Sequence, residues 1–575
     1  MPDRPDPRPD PAARSGSGPA PDGFLEAFGW HPEPELLGIR DAAVSREALR
    51  AAGAATWETA LDYLYDHALV RGMGEPAGYA ELRAAYFGAA GGPGPAPDGP
   101  TPLPVLLEEF RDRVAPHTVS AWHPRSYGYF TPPPLIASVL GEILAQVTQQ
   151  GVDVWHAGPV AAFVEEEVIR WLCDLVGYGR GSFGLLTSGG VMANFIAMTL
   201  ARDVHASRVL RLDRPPRGRA LESLRIYTSD QTHFSIGRAI DELGLPPECL
   251  VLVPADDDFR LRGADVAAAV AADRAAGLTP IAISAVAGAT NTGSVDAVGE
   301  LADVAEREDL WLHVDAAYGA AVRLSARDAS RVPDLERAHS VTVDPHKWFF
   351  QAYDIGGLMV RRGADLEAVF GSRRPEYYRS GHAPMPSGED DTDAHAVAGH
   401  GEAGQLNFWK LGFEGTRRWR ALKLWLSWKH VGTAGFGRLV EANIDLAAHL
   451  GRRVAADPEF EALPPVPPLS VACFRYRPAG LAAGPDLDAL QDRIQAALEE
   501  SGDGWLSTTR LRGGTWLRAG ILNTQATIAD VDRLIEDLRE LGSGDRRQPS
   551  RPLGPGRTCA RMTAAPGARR RSSSP

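Results

Sequence analysis

Between residues 184 and 319 the chain repeats one pattern, a short apolar run followed by a longer amphipathic stretch. GLLTS (184–188) leads into MANFIAMTLARDV, LRIYTSD (224–230) into FSIGRAIDEL, and VLVPAD (251–256) into GADVAAAVAADRAAG. PIAISAVAGA (280–289) leads into DAVGELADVAERED, and WLHVDAAYG (311–319) follows. Strands that are apolar throughout must be covered on both faces, and crossover helices supply that cover. The pattern predicts an α/β fold built on a mostly parallel sheet. Such sheets bind ligands at the C-terminal ends of their strands, so the residues just past each run are where chemistry is expected.

The flanks read differently. Residues 1–21 are rich in Pro, Asp, Arg and Gly and are expected to be disordered. Residues 22–115 form an N-terminal helical segment; in ETALDYLYDHALV, Leu61, Leu64, His67 and Ala68 fall on one face. Within it GAAGGPGPAPDGPTP (88–102) reads as a linker, and VLLEEFRDRVA starts another helix. The large domain is expected over 116–435, with 405–435 helical. Residues 436–542 alternate helix, strand (SVACFRYR), helix (DLDALQDRIQAAL), strand (TWLRAGIL) and helix, which predicts a smaller C-terminal α+β domain. Thr527 with Asp530 is a capping pair for that last helix. From 543 to 575 the chain is Arg, Pro, Gly and Ser rich, the composition of a disordered basic tail.

Composition excludes some classes of function. A net charge of -14 argues against a general nucleic-acid or anionic-membrane binder. No apolar run is long enough to span a bilayer, and the opening MPDRPDPRPDPAARSGSG lacks the apolar stretch of a secretory signal. Cys173, Cys249, Cys473 and Cys559 are scattered without a CxxC pair. They read as small buried hydrophobes, with neither a disulfide framework nor a metal site expected, and a cytoplasmic location fits.

Four features past strand ends carry chemistry. Thr187-Ser188-Gly189-Gly190 lies between a strand and a helix, where glycines admit a phosphate to the helix N-terminus; a plain tight turn has the same sequence. Asp315 ends an apolar strand, where a carboxylate needs a cationic or protonated partner. A pyridinium nitrogen is such a partner; a helix cap or a metal ligand are the alternatives. Asp344-Pro345-His346-Lys347-Trp348 follows the strand-like SVTV, and apolar surroundings there would lower the lysine pKa and favour a free amine for imine formation. His233, in SDQTHFS, is placed to stack on an aromatic cofactor ring or to exchange protons with it.

TSGGVMAN, SDQTHFS, WLHVDAAYG and VDPHKW, in that order, resemble the group II pyridoxal-phosphate-dependent amino-acid decarboxylases, which include aromatic-L-amino-acid, glutamate and diaminobutyrate decarboxylases. The resemblance extends to HPRSYGYF (123–130), RRWRALKLW (417–425) and STTRLRGGTWLRAGILN (507–523), and spans roughly 105–540. It implies fold type I of the aspartate-aminotransferase kind and pyridoxal 5'-phosphate held by Lys347. It further implies that Asp315 pairs with the pyridine nitrogen, that His233 stacks on the ring and that Ala317 packs on the other face. Gly189 and Gly190 would hold the phosphate, helped by His346 or Asp344, and Thr290 would lie near the 3-hydroxyl.

The same resemblance implies a homodimer with the site at the interface, residues 22–115 wrapping the partner, and decarboxylation of a small-molecule L-amino acid to its amine and CO2. Tyr377, in RRPEYYRSG, matches the family's loop tyrosine that protonates Cα, with Tyr378 beside it. A phenylalanine there would imply an aldehyde-forming oxidative deaminase, and a non-catalytic dimeric relative would lack the lysine, the aspartate or the tyrosine. The sequence departs from relatives at Val191-Met192, where Ser or Thr and Glu are common, and at Asp344, an Asn in animal aromatic enzymes. GYFTPPPLIAS lacks the aromatic enzymes' Pro-Thr and Ser-Tyr-Pro signature, so substrate identity stays open; Tyr127, Tyr129 and Phe130 either line a pocket or fill the core.

Overall fold

The computed structural model describes residues 42–69, 73, 78–88, 92–371 and 405–544. Chain contacts divide it into two compact units, residues 1–120 with 552–575 and residues 121–551. In the first, α1 (Ala42–Asp62) runs on into a wider turn at Tyr63–Ala68, and α2 (Tyr79–Phe87) and α3 (Leu103–Glu109) follow. Leu61, Leu64 and His67 are half-buried and Ala68 is buried, while Tyr65 and Asp66 face solvent, as the sequence periodicity requires. Hydrogen bonds from Thr118 to the Tyr63 hydroxyl (3.0 Å) and from Ser120 Oγ to the Ala68 carbonyl (2.9 Å) fasten the end of the unit to this turn.

The second unit holds the α/β fold. Its strands are β1 (Phe183–Thr187), β2 (Leu224–Ser229), β3 (Leu250–Val253), β4 (Thr279–Val286), β5 (Trp311–Asp315), β6 (Ser340–Val343) and β7 (Gly356–Val360). Their order is β1-β7-β6-β5-β4-β2-β3. Every pairing from β6 to β3 is parallel, and β7 runs antiparallel to both β1 and β6. The sequence pattern does not single out β7, because GGLMV is short and begins with two glycines. Every residue of β1, β5, β6 and β7 is buried. Cover comes from α4 (Ile136–Thr148), α5 (Pro159–Val176), α6 (Gly190–Leu200), α7 (Phe234–Glu242), α8 (Gly263–Ala275), α9 (Val298–Glu308) and α10 (Ala421–Ala455).

A fully buried ion pair fixes the start of this architecture. Arg417 pairs with Glu165 of α5 and donates to the carbonyls of Leu186 in β1 (2.6 Å) and Val152 (3.0 Å). Desolvation of both charges makes such a pair costly to break from one side, so it locks the register of α5 on β1.

A smaller antiparallel sheet comprises β8 (Phe460–Ala462), β9 (Val471–Tyr476), β10 (Ser507–Leu511) and β11 (Gly514–Gly520), in the order β10-β11-β9-β8. It packs with α11 (Pro485–Ser501) and α12 (Ile528–Ser543), and Thr527 and Asp530 form a reciprocal capping box on α12. The helix expected over 405–435 begins only at Ala421. Residues 408–410 form a single 3-10 turn, and the Gly412-Phe413-Glu414-Gly415 stretch after it is non-helical. α10 then crosses the expected boundary at 435/436 as one element, broken at Gly432, whose φ of 72° suits glycine alone. Cys173, Cys249 and Cys473 are buried and free; Cys559 lies outside the described residues. No helix of the described residues is long and apolar enough to cross a membrane.

Beneath the sheet, His339 accepts a hydrogen bond from Leu312 N (3.0 Å) and stacks on Trp311 at 4.9 Å. Burial pushes its pKa down to about 3. A neutral histidine in the fold that would charge in the unfolded chain gives stability present above pH 6.5 and lost as pH falls towards 3. The wild-type thermal midpoint should therefore drop more steeply between pH 6.5 and 5 than that of His339→Gln, measured by calorimetry on both proteins.

Candidate active site

The C-terminal ends of β1, β2, β4, β5 and β6 open on one cavity of about 440 Å³. Gly189, Gly190, His233, Thr290, Asp315, Ala317, Asp344, His346 and Lys347 all line it, so five strand ends bring together residues separated by up to 158 positions. Tyr377 and Tyr378 lie outside the described residues. Phe130 lines the cavity, whereas Tyr127 is wholly buried in the core of the small sheet and Tyr129 is exposed, edge-on to Trp505 at 5.2 Å.

The glycine turn is held by close backbone approach. A Cβ on Gly356, the first residue of β7, would stand 2.4 Å from Gly189 Cα and 2.6 Å from Asp344 Oδ1. One on Gly190 would stand 2.9 Å from Asp344 Oδ2. The turn therefore nests against the Asp344–Lys347 turn, with the His346 ring beside Gly189, and α6 begins at Gly190 with its free N–H groups at the cavity.

Lys347 Nζ is 3.0 Å from Asp344 Oδ2, and His346 Nε2 is 3.6 Å from the same oxygen. Asp344 Oδ1 is buried with no hydrogen-bond partner. Burial works against the charge on Lys347, but the Asp344 carboxylate and, beyond it, Asp315 outweigh that cost and raise its pKa above the ordinary lysine value. The expectation of a lowered pKa is thus overturned: it counted the apolar surroundings and left out the carboxylate three residues upstream. Burial lowers the pKa of His346, whose Nδ1 accepts from Ile355 N (3.3 Å), so this ring is neutral beside the turn.

Asp315 is the second anion of the cavity. Its Oδ2 accepts from Asn194 Nδ2 (2.7 Å) and its Oδ1 from Ala317 N (3.1 Å), both neutral donors. Asn194 also donates to Ser235 Oγ (2.8 Å), and its Oδ1 accepts from Thr342 Oγ1 (2.6 Å) and meets His313 Nε2 (3.1 Å). His233 caps α7, its Nδ1 lying 2.8 Å from Ser235 Oγ and 3.4 Å from Ser235 N; burial lowers its pKa, partly offset by Asp315. Thr290 sits in the loop after β4, its carbonyl held by Arg518 Nε at 2.7 Å. The Arg518 guanidinium lies 4.7 Å from the Phe130 ring centre, and its Nη2 is buried without a partner.

Asn194, Ser235, His313, Thr342 and Arg518 were not singled out from the sequence. Two signals were available: Asn194 is one helical turn past Gly190, and Ser235 is two residues past His233 at a helix start. The donor set fits pyridoxal phosphate on the structure's own terms. The buried Asp315 carboxylate, met only by neutral donors, suits a protonated ring nitrogen; the glycine turn at a helix start suits a phosphate; and Lys347 supplies the amine.

Residues 90–477 match the pyridoxal-dependent decarboxylase conserved domain. An aromatic-L-amino-acid decarboxylase of Bacillus atrophaeus is 31% identical over 419 residues, covering 73% of this chain and 81% of the relative. An L-2,4-diaminobutyrate decarboxylase of Rhizobium meliloti (strain 1021) is 30% identical over 447 residues, covering 78% and 83%. Among solved structures, the Oryza sativa TDC with PLP and tryptamine superposes with a TM-score of 0.77 at 24% identity, over 87% of this chain and 99% of that one. The chain belongs to the pyridoxal-dependent decarboxylase family, with the type I fold, and is a pyridoxal-phosphate enzyme of amino-acid decarboxylation.

The ion pair between Lys347 and Asp344 makes a direct prediction. Asp344→Asn removes the nearest carboxylate, so in the cofactor-free protein Lys347 should be acylated faster than in wild type by an amine-selective reagent at pH 8. Peptide mass spectrometry reads the difference.

Proposed function

We propose that the chain decarboxylates an L-amino acid with an aromatic or other apolar side chain, releasing the corresponding amine and CO2. The observation that carries this reading is the sorting of charge in the cavity. Each charged or imidazole group lining it is assigned to the cofactor or to its lysine, and the remainder of the lining includes Phe130, Val191, Met192, Phe234, Val286 and Tyr318. No further charged side chain of the described residues lines the cavity to pair with a charged substrate side chain, whose burial unpaired would be costly.

Lys347 is assigned to hold the cofactor aldehyde, Asp315 the ring nitrogen, His233 and Ala317 the two ring faces, and Thr290 the neighbourhood of the 3-hydroxyl. Gly189 and Gly190, with His346, are assigned to the phosphate. Pyridoxal phosphate, when bound, supplies an electron sink conjugated to the substrate Cα. Asp344 Oδ2, 3.0 Å from Nζ, pairs with the lysine ammonium and holds Nζ at the cavity. Asp315, fixed by Asn194 and Ala317, would face the ring nitrogen and hold a proton there. Arg518 holds the Thr290 carbonyl at 2.7 Å and lies against the Phe130 ring, which fixes the loop after β4 beside the cavity. Tyr377 is assigned the protonation of Cα.

A homodimer is supported by α4. Ile136, Leu140, Ile143, Leu144 and Val147 recur at helical spacing and all are exposed, a stripe that a second copy of the chain would cover. Leu140→Glu with Leu144→Glu should halve the mass measured by light scattering.

The deciding experiment is a panel of L-amino acids with purified protein and added pyridoxal phosphate, scored for CO2 and amine. Aromatic substrates should yield both, in equal amounts; turnover confined to acidic or basic amino acids would overturn the substrate reading. Lys347→Ala should lose the visible cofactor band and roughly a thousandfold or more in turnover. Tyr377→Phe should divert product from amine towards aldehyde with ammonia and peroxide.

A further inference from the structure

We propose that a buried hydrogen-bond relay running from Asp315 through Asn194 and Ser235 fixes neutral His233 as its Nε2–H tautomer, so that this ring presents a donor to the cavity while its Nδ1 serves as the acceptor. The relay is a positioning device, and its bearing on catalysis rests on the proposed placement of His233 against the cofactor.

Each direction in the relay follows from the one before it. An ionised carboxylate only accepts, so the group facing Asp315 Oδ2 at 2.7 Å is the Asn194 amide nitrogen and not its oxygen. The second N–H of that nitrogen then points to Ser235 Oγ at 2.8 Å. The Asn194 oxygen, turned the other way, accepts from the Thr342 hydroxyl (2.6 Å) and from His313 Nε2–H (3.1 Å). Burial lowers the His313 pKa to about 4, so this ring is neutral, and its Nδ1 takes the hydroxyl proton of Ser340 (2.9 Å). Ser340 in turn receives the Trp311 indole N–H (3.0 Å), a group that only donates. Both ends of the asparagine are thus fixed independently, by a carboxylate on one side and by hydroxyl and imidazole donors on the other.

Ser235 Oγ, already an acceptor from Asn194, has one proton of its own, and the acceptor in reach is His233 Nδ1 at 2.8 Å. The Ser235 backbone N–H points at the same nitrogen from 3.4 Å, a long contact that adds a second donor. A proton on Nδ1 would confront both. The imidazole proton therefore resides on Nε2, which makes no hydrogen bond to a described residue. All members apart from His233 are buried: Asn194, Ser235, Thr342, His313, Ser340 and Asp315. A buried polar chain of this kind is costly to rearrange at one link without leaving a group unsatisfied at another.

The test is the ring-nitrogen NMR spectrum of full-length protein labelled with [15N]histidine, before and after addition of pyridoxal phosphate, with the His233 signals identified by their loss in His233→Gln. Wild type should show Nε2 protonated and Nδ1 bare. Ser235→Ala should raise the pH at which His233 gains its second proton by roughly 0.5–1 unit, the size of one hydrogen bond to the neutral ring. Ser235→Thr should restore the wild-type value. Asn194→Asp should reverse the relay from two residues away, because the new carboxyl shares one proton with Asp315 and accepts from the Ser235 hydroxyl, which then no longer donates to His233, so the ring proton moves to Nδ1. An Nδ1–H tautomer in wild type overturns the proposal, as does a Ser235→Ala titration that matches wild type or a folded Asn194→Asp protein with an unchanged tautomer. If the cofactor band fails to form while this pattern holds, the functional reading falls and the relay stands.

Discussion

A carboxylate at the end of a buried strand, with no cation beside it, organises the centre of this enzyme. Asp315 pays for its burial only through two neutral N–H donors, and one of them, Asn194, must itself be held in place. That requirement reaches outward through Thr342 on β6, His313 on β5 and Ser235 on α7. The residues that hold this carboxylate are the same residues that knit β5, β6 and two helices together. Stability and chemistry here share a single set of hydrogen bonds.

The second anion, Asp344, works in the opposite sense. It is satisfied by the lysine ammonium at 3.0 Å and leaves one oxygen unpaired. The two carboxylates divide the cavity, Asp315 held by neutral N–H donors and Asp344 paired with the lysine. Between them lie Ala317 and the Gly190 backbone, small enough for a flat ring to approach.

Much of the architecture was legible because parallel strands buried on both faces leave an unmistakable apolar signature, and the helices between them are amphipathic. Cavity-lining residues at strand ends were legible for the same topological reason. What escaped was whatever depends on partners distant in sequence. The Lys347 pKa was misjudged because apolar neighbours are visible in a sequence, while the balance of burial against two carboxylates is not. Asn194 and Arg518 look like ordinary polar residues until β5 and β11 bring their partners to them. β7 was missed because two leading glycines and five residues give no periodicity, although those glycines are what the site requires: a side chain on Gly356 would occupy the space of Gly189.

The antiparallel position of β7 also dictates an order of assembly. Among the described strands, β1, with the glycine turn at its end, joins the sheet through β7 alone. β7 follows Lys347 in the chain, so a nascent polypeptide synthesised as far as the lysine can already align β2 to β6 and bring Asp315 and His233 together. The glycine turn after β1, made more than 150 residues earlier, gains its strand partner only when residue 360 emerges. An incomplete chain that stops at the lysine would therefore leave β1 without any of the strand partners described here.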